Sequence, residues 1–236
     1  MSEEEKAANR AAFKKMNLPQ KAEYIFTYYK FPIIAAVIAI FFLSNAIYLQ
    51  ITRKETALYC SLVNVTVDGQ LANRLTVGFL ESMDIDPDKN DVSYSELNLS
   101  GGGQYAYSSR VKLMATIESQ MLDVVLMDRE AYDMLSANGY LLPLSELLSP
   151  DAGLAAELAP YLTENTVIVE DNQSDVERGT ADEYWSETED VVNGLNISGF
   201  RLFAGAGFSE DLYLGVIGNT ARPEMVRSYI GYLNMA

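Results

Sequence analysis

Residues 112–148 read KLMATIESQMLDVVLMDREAYDMLSANGYLLPLSELL. At the centre, Asp123-Val-Val-Leu-Met127 is a short, continuous apolar run between charged residues. That is the pattern of a strand buried on both faces of a parallel sheet. Upstream, Tyr107, Val111, Met114, Ile117 and Met121 recur at helical spacing and predict a helix over 104–121 with that face inward. Downstream, residues 129–138 predict a further helix, closed by Gly139 at a position that favours glycine. Helix, buried strand and helix in this order point to an α/β domain.

Working outward, the same alternation continues. Residues 57–65 (ALYCSLVNV) read as a strand. Asp68 is placed to cap a helix whose apolar positions are Leu71, Leu75, Phe79 and Met83. A polar turn around Pro87 leads to an alternating strand over 92–99. Residues 141–144 and 147–150 form a packed loop. Beyond residue 150 the pattern weakens: 166–169 and 202–204 are expected as short strands, 171–190 as acidic and polar, and Asn193-Gly194 as a turn. Residues 212–217 form a strand, and Pro223 opens a final helix to Leu233. The expectation is a mainly parallel sheet flanked by helices.

Asp123-Val124-Val125, Gly139-Tyr140 and Leu142-Pro143-Leu144 resemble successive points in the extracellular solute-binding proteins of ABC importers, which have the type II periplasmic-binding-protein fold. The stretch LYLGVIGNTARPEMVRSYIGYL, 212–233, is similar to that family's returning strand, Asn-containing turn and helix. The resemblance implies one lobe of such a protein, a small polar ligand bound without catalysis, and a crevice near the carboxyl ends of the strands. About 60 residues separate Ser149 from Leu212, so the second lobe is expected to be reduced. An interaction or scaffold subunit of a cell-envelope complex, its cleft lost, is the alternative.

Toward the N-terminus, residues 31–51 (FPIIAAVIAIFFLSNAIYLQI) carry no charge. As a helix this run is about 31 Å long, enough to cross the hydrocarbon core of a bilayer. An uncleaved anchor is expected. Ser44-Asn45-Ala46 keeps a cleaved signal peptide open as an alternative. Lys6, Arg10, Lys14, Lys15, Lys21 and Lys30 precede the run, and only Arg53 and Lys54 closely follow it. That bias predicts a cytoplasmic segment over 1–30, a membrane helix over 31–51 and an extracytoplasmic domain over 52–236. Tyr24, Phe26, Tyr28, Tyr29 and Tyr48 fit an interfacial aromatic belt. The first twenty residues, interrupted at Pro19, are expected as a loose helix.

The net charge is −16, and it is uneven. Residues 52–236 hold eleven basic and 29 acidic side chains. Such a field opposes nucleic-acid binding, which needs a basic footprint. With 0 histidines, the chain lacks the commonest general base and the commonest zinc ligand. A single cysteine, Cys60, excludes an intramolecular disulfide and reads as a buried small hydrophobe. No cofactor is expected. The expected partners are the membrane, a small polar solute and a membrane protein.

The ligand-binding candidates are Gly101, Gly102, Gly103 and Gln104, where a glycine loop opens a helix, with Asp128 after the central strand and Trp185 as an aromatic platform. The loop matches neither nucleotide fingerprint, because no Gly-Lys-Ser/Thr follows. Asp84, Asp86, Asp88, Asn90 and Asp91 look like the start of a calcium loop, but Lys89 stands where the tight-turn glycine belongs. A solvated turn is the expectation there.

Overall fold

The central strand β3 (Val124–Met127) is buried at every position. The computed structural model describes residues 13, 16–203, 206, 208 and 210–235. The chain divides into two compact units, Met1–Arg53 and Lys54–Ala236.

In the first unit, α1 (Leu18–Thr52) starts from a reciprocal cap. The Asn17 side chain accepts from the Gln20 amide at 3.1 Å, and the Gln20 side chain accepts from the Asn17 amide at 3.1 Å. Pro32 lies inside the helix, a position tolerated in apolar spans. Tyr29–Gln50, 22 residues with mean hydropathy 2.2 and none of it buried, is long and apolar enough to cross a membrane. The loose helix expected over the first twenty residues falls mostly outside the described residues, as do the side chains of Tyr24 and Tyr28.

In the second unit the elements run β1 (Glu55–Val63), α2 (Gly69–Asn73), a π-helical turn (Arg74–Gly78), α3 (Phe79–Ser82), β2 (Asn90–Leu97) and α4 (Gln104–Glu118). After β3 come α5 (Arg129–Ala137), α6 (Leu144–Leu148), α7 (Ala152–Leu158), β4 (Leu162–Asp171), α8 (Gln173–Glu177), β5 (Ser186–Asn196), β6 (Tyr213–Val216) and α9 (Pro223–Met235). Asp68 caps α2 by accepting from the Leu71 amide at 2.7 Å, and Asp128 caps α5 by accepting from the Ala131 amide at 2.9 Å.

One six-stranded sheet, in the order β2-β1-β3-β6-β5-β4, is flanked by helices. The expectation of a mainly parallel sheet needs correction. β2, β1 and β3 are parallel, but β6 pairs antiparallel to β3, and β5 and β4 continue antiparallel. Only the short helix α8 lies between β4 and β5, too short to carry the chain back across the sheet for a parallel pairing, and β4, β5 and β6 reverse direction at each step. On one face Leu58, Leu62, Leu126 and Leu214 pack with Leu75 of the π-helical turn, Phe79 of α3, and Tyr229 and Ile230 of α9. On the other, Val63, Val125 and Met127 pack with Leu113, Ile117 and Leu135 of α4 and α5.

Three further expectations are revised. In α4 the buried residues are Ala106, Leu113 and Ile117, while Tyr107 and Val111, and Met121 just beyond the helix, are exposed. Asn193-Gly194 is not a turn but lies within β5. A Cβ on Gly194 would come within 2.5 Å of the Tyr132 ring, so glycine is needed to seat that tyrosine. Asn193 is buried beside it, accepting from the Tyr132 hydroxyl at 2.9 Å and donating to Ser136 Oγ at 2.8 Å. Leu202 and Phe203 lie in turns rather than a strand, and Ala204 is outside the described residues. Cys60 is fully buried, and burial pushes its thiol up to about 12.

At the amino end of β3 the Asp123 side chain is wholly buried. Its carboxylate accepts from the Tyr59 amide at 2.9 Å, the Thr220 hydroxyl at 2.6 Å and the Arg222 guanidinium at 3.3 Å to each oxygen. The guanidinium also lies over the Tyr59 ring, 4.6 Å from its centroid. Removing the cation leaves a buried carboxylate without its counter-charge. Arg222→Ala is expected to cost on the order of 3 kcal/mol, read by urea unfolding of the full chain in non-ionic detergent. A change below about 0.5 kcal/mol, the usual range for a surface substitution, would show the pair to be incidental.

Candidate functional site

The strand β1 ends at Val63, two residues earlier than its apolar pattern suggests, because Asn64 adopts φ +57° and turns the chain out of the sheet. Asparagine tolerates this left-handed conformation better than most residues. Its amide oxygen then accepts from the backbone amides of Leu99 at 2.7 Å and Ser100 at 3.1 Å, just beyond β2. Its amide nitrogen donates to Asp128 Oδ1 at 3.2 Å, just beyond β3. One side chain thus ties together the carboxyl ends of three parallel strands.

Two pockets open on either side of this tie. The larger, about 400 Å³, is lined by Asn64, Val65, Thr66, Asp128, Phe208, Glu210, Asp211 and Leu212. The smaller, about 230 Å³, is lined by Asn64, Leu99, Arg110, Glu130, Ala131 and Met134. Arg110 donates to the Leu99 carbonyl at 3.2 Å, which fixes its head over the β2 exit. Three carboxylate residues line the larger pocket beside the Asn64 amide and the Thr66 hydroxyl. Such a lining favours a solute with positive charge and hydrogen-bond donors.

The sequence-predicted residues are distributed unevenly around this site. Asp128 lines the larger pocket and holds both the α5 amino terminus and Asn64. Gly101, Gly102, Gly103 and Gln104 follow β2 at the same end of the sheet. They are exposed, line neither pocket, and each glycine has open space where a Cβ would stand. Trp185 is half-exposed and precedes β5, beside the opposite edge strand β4, so it is not brought to the site. The aspartate-rich turn closes on itself. Asp86 accepts from the Asp88 amide at 2.9 Å and pairs with Lys89 at 3.5 Å. Among the described residues no group of three His, Cys, Asp or Glu side chains is placed to hold a metal ion.

Asn64, Arg110, Glu210 and Asp211 were not anticipated. The one local sign for Asn64 is an amide side chain at the end of an otherwise apolar strand. Glu210 and Asp211 reach the pocket only through the antiparallel return of β6.

No family model and no curated protein matches this chain. Among solved structures, a Corynebacterium glutamicum OxyR C206 mutant is similar at 12% identity and a TM-score of 0.28. That alignment covers 93% of this chain and 75% of the other. A TM-score this low supports no statement about fold or function.

If Asn64 organises the site, its removal weakens both fold and pocket. Asn64→Ala loses three hydrogen bonds and puts a Cβ without compensating polar groups at positive φ, for an expected loss of about 3–4 kcal/mol. Asn64→Gly keeps the conformation at ease and is expected to lose about 1 kcal/mol less. Thermal unfolding of both variants checks this. Equal losses would remove the conformational part of the argument.

Proposed function

We propose that this chain is a single-pass membrane protein whose extracytoplasmic domain is built like one lobe of a type II periplasmic binding protein. On this reading it captures a small polar, cationic solute without converting it, in the manner of the solute-binding component of an ABC importer. The observation that carries the proposal is the tie at Asn64, which gathers the ends of β1, β2 and β3 beside a pocket lined by Asp128, Glu210 and Asp211. Open α/β sheets place their ligands at such carboxyl ends. The lack of histidine, the commonest general base, supports binding rather than turnover.

A second reading, an interaction subunit of a cell-envelope complex, is favoured by one feature. The described residues form one sheet, so no second lobe is present there to close over the pocket.

The lysine and arginine bias around the apolar helix supports a cytoplasmic N-terminus. A reporter active only outside the cytoplasm is therefore expected to work at the C-terminus of the full chain and to fail at its N-terminus. The reverse pattern would invert the proposed topology.

The solute reading is tested by thermal unfolding of the full chain in detergent with putrescine, L-arginine, L-lysine, Ca²⁺ and glucose. A cationic solute at 100 times its Kd is expected to add about 2.7 kcal/mol, a rise of several degrees. The rise should shrink in a Glu210→Gln/Asp211→Asn double variant. Equal midpoints with all five, the transition remaining cooperative, would favour the interaction-subunit reading.

A further inference from the structure

The two edges of the sheet are finished differently. At β4 the Tyr132 hydroxyl donates to the Thr163 carbonyl at 3.0 Å and the Ser136 hydroxyl donates to the Thr166 carbonyl at 3.1 Å, so α5 is bonded to that edge strand. At the other end, among the described residues, β2 pairs with β1 alone. Among the described residues no side chain or loop hydrogen-bonds the backbone of Asp91–Glu96 from outside the sheet. An edge of this kind is a template for another strand, and proteins ordinarily blunt it with proline, an inward charge or a covering element.

Beside this edge runs a groove of about 600 Å³. One wall is β2 from Asn90 to Tyr94. The other is one face of the continuous helical stretch from α2 through the π-helical turn, including Ala72, Asn73, Thr76 and Val77. The helical wall is set back at Gly69 and Ala72, and at Gly69 a Cβ would meet nothing within 4 Å. Five strand positions give room for about five residues of extended chain, roughly 16 Å.

The chemistry of the groove selects its occupant. Asp91 lines it, and among the described residues Asp91 Oδ1 is buried without a hydrogen-bond partner. An orphaned carboxylate oxygen is costly until a donor reaches it. Lys54, which also lines the groove, is already committed to the Pro87 carbonyl. From Asp68 to Glu96 the chain holds seven acidic and two basic residues, and Lys89 is paired with Asp86. A second copy of so acidic a surface would be repelled.

We propose that the groove between the outer edge of β2 and the helical wall is a docking site for an extended, Lys- or Arg-bearing segment of a partner protein. The segment adds to the sheet as a seventh strand and brings a basic side chain to Asp91. Main-chain hydrogen bonds then supply affinity, while the groove and its carboxylate select sequence. This site is separate from the pocket at Asn64, so the two readings stand or fall independently.

The test uses the full chain in non-ionic detergent, with protein-free micelles as baseline, and fluorescence anisotropy of a labelled peptide Thr-Val-Lys-Val-Lys-Val-Thr. Saturable binding is expected. The same peptide N-methylated at alternate amides, and its Glu-for-Lys counterpart, should each bind at least about ten-fold more weakly. Ala72→Trp, which fills the groove from its exposed wall, should weaken the parent peptide about ten-fold at an unchanged unfolding temperature, and Asp91→Asn should weaken it several-fold. The proposal is overturned if no saturation is reached at about 1 mM, if N-methylation has no effect, or if Ala72→Trp leaves binding intact. A dimer of the chain that Ala72→Trp dissolves would also overturn it, by assigning the edge to self-association.

Discussion

A carboxylate with no solvent exposure stands where the sheet changes direction. Asp123 precedes β3, which pairs parallel with β1 on one side and antiparallel with β6 on the other. Its backbone takes part in both ladders: its amide donates to the Tyr59 carbonyl at 3.0 Å, and its carbonyl accepts from the Ile217 amide at 2.9 Å. Its side chain reaches to both sides as well, to the Tyr59 amide, Thr220 and Arg222. A buried charge is tolerated only when paired and hydrogen-bonded, so every arrangement that misaligns β1 and β6 around β3 strands this group. The constraint is one of specificity more than of net stability. It fixes the register of the two halves, and with it the point at which the C-terminal third joins a sheet begun by the first two thirds.

That register carries through to the carboxyl ends. With β1 and β3 aligned, Asn64 and Asp128 emerge next to each other, and their hydrogen bond becomes short-range in space despite a separation of 64 positions in the chain. The same alignment carries β6 in beside β3, and the segment leading into it supplies Glu210 and Asp211. The candidate pocket is therefore a consequence of sheet order, built from side chains that no single element presents together.

How much of this is legible in the sequence follows from where the information resides. β1, β2, β3, the Asp68 and Asp128 caps and the Gly139 stop are written in periods of two and 3.6 and in capping chemistry, all within a few residues. Asp128 as a ligand candidate rests instead on the resemblance, which places a crevice at the carboxyl ends of the strands. The face of α4 was not. Leu113 and Met114 are neighbours, and a rotation of one residue exchanges the stripe through Tyr107 and Val111 for the one through Ala106 and Leu113. Only the packing against β3 decides between them. β5 was hidden because its outer half, Ser186–Asp190, is exposed on both faces and carries three acidic residues, so it shows no apolar alternation. Its Asn193-Gly194 carries a strong local turn signal. Tyr132 overrides it, since the ring occupies the space above Gly194 and its hydroxyl bonds Asn193. Asn64 is polar at the end of an apolar run, and nothing near it in sequence announces that Leu99, Ser100 and Asp128 will converge on its amide.

The two edges show how the same physics can produce opposite outcomes on one sheet. β4 is longer, more acidic and more exposed than β2, and by charge alone it is the better-defended edge. Yet α5 adds a second tie there, through two hydroxyls that donate to the Thr163 and Thr166 carbonyls. On β2, among the described residues, no side chain from outside the sheet takes up the strand's backbone groups at the groove. Val92 faces the core, Ser93 and Tyr94 are short of full burial, and the helical wall beside them carries Gly69 and Ala72 where larger residues would have closed the gap. Filling that gap with one aromatic residue would be sterically simple, since a Cβ at Gly69 has open space and Ala72 is only partly buried. An edge left open next to a wall set back at Gly69 and Ala72, with one carboxylate oxygen of Asp91 buried and unpartnered among the described residues, leaves three separate requirements unmet. An extended basic chain meets all three at once, whereas water or a rotated side chain meets only one.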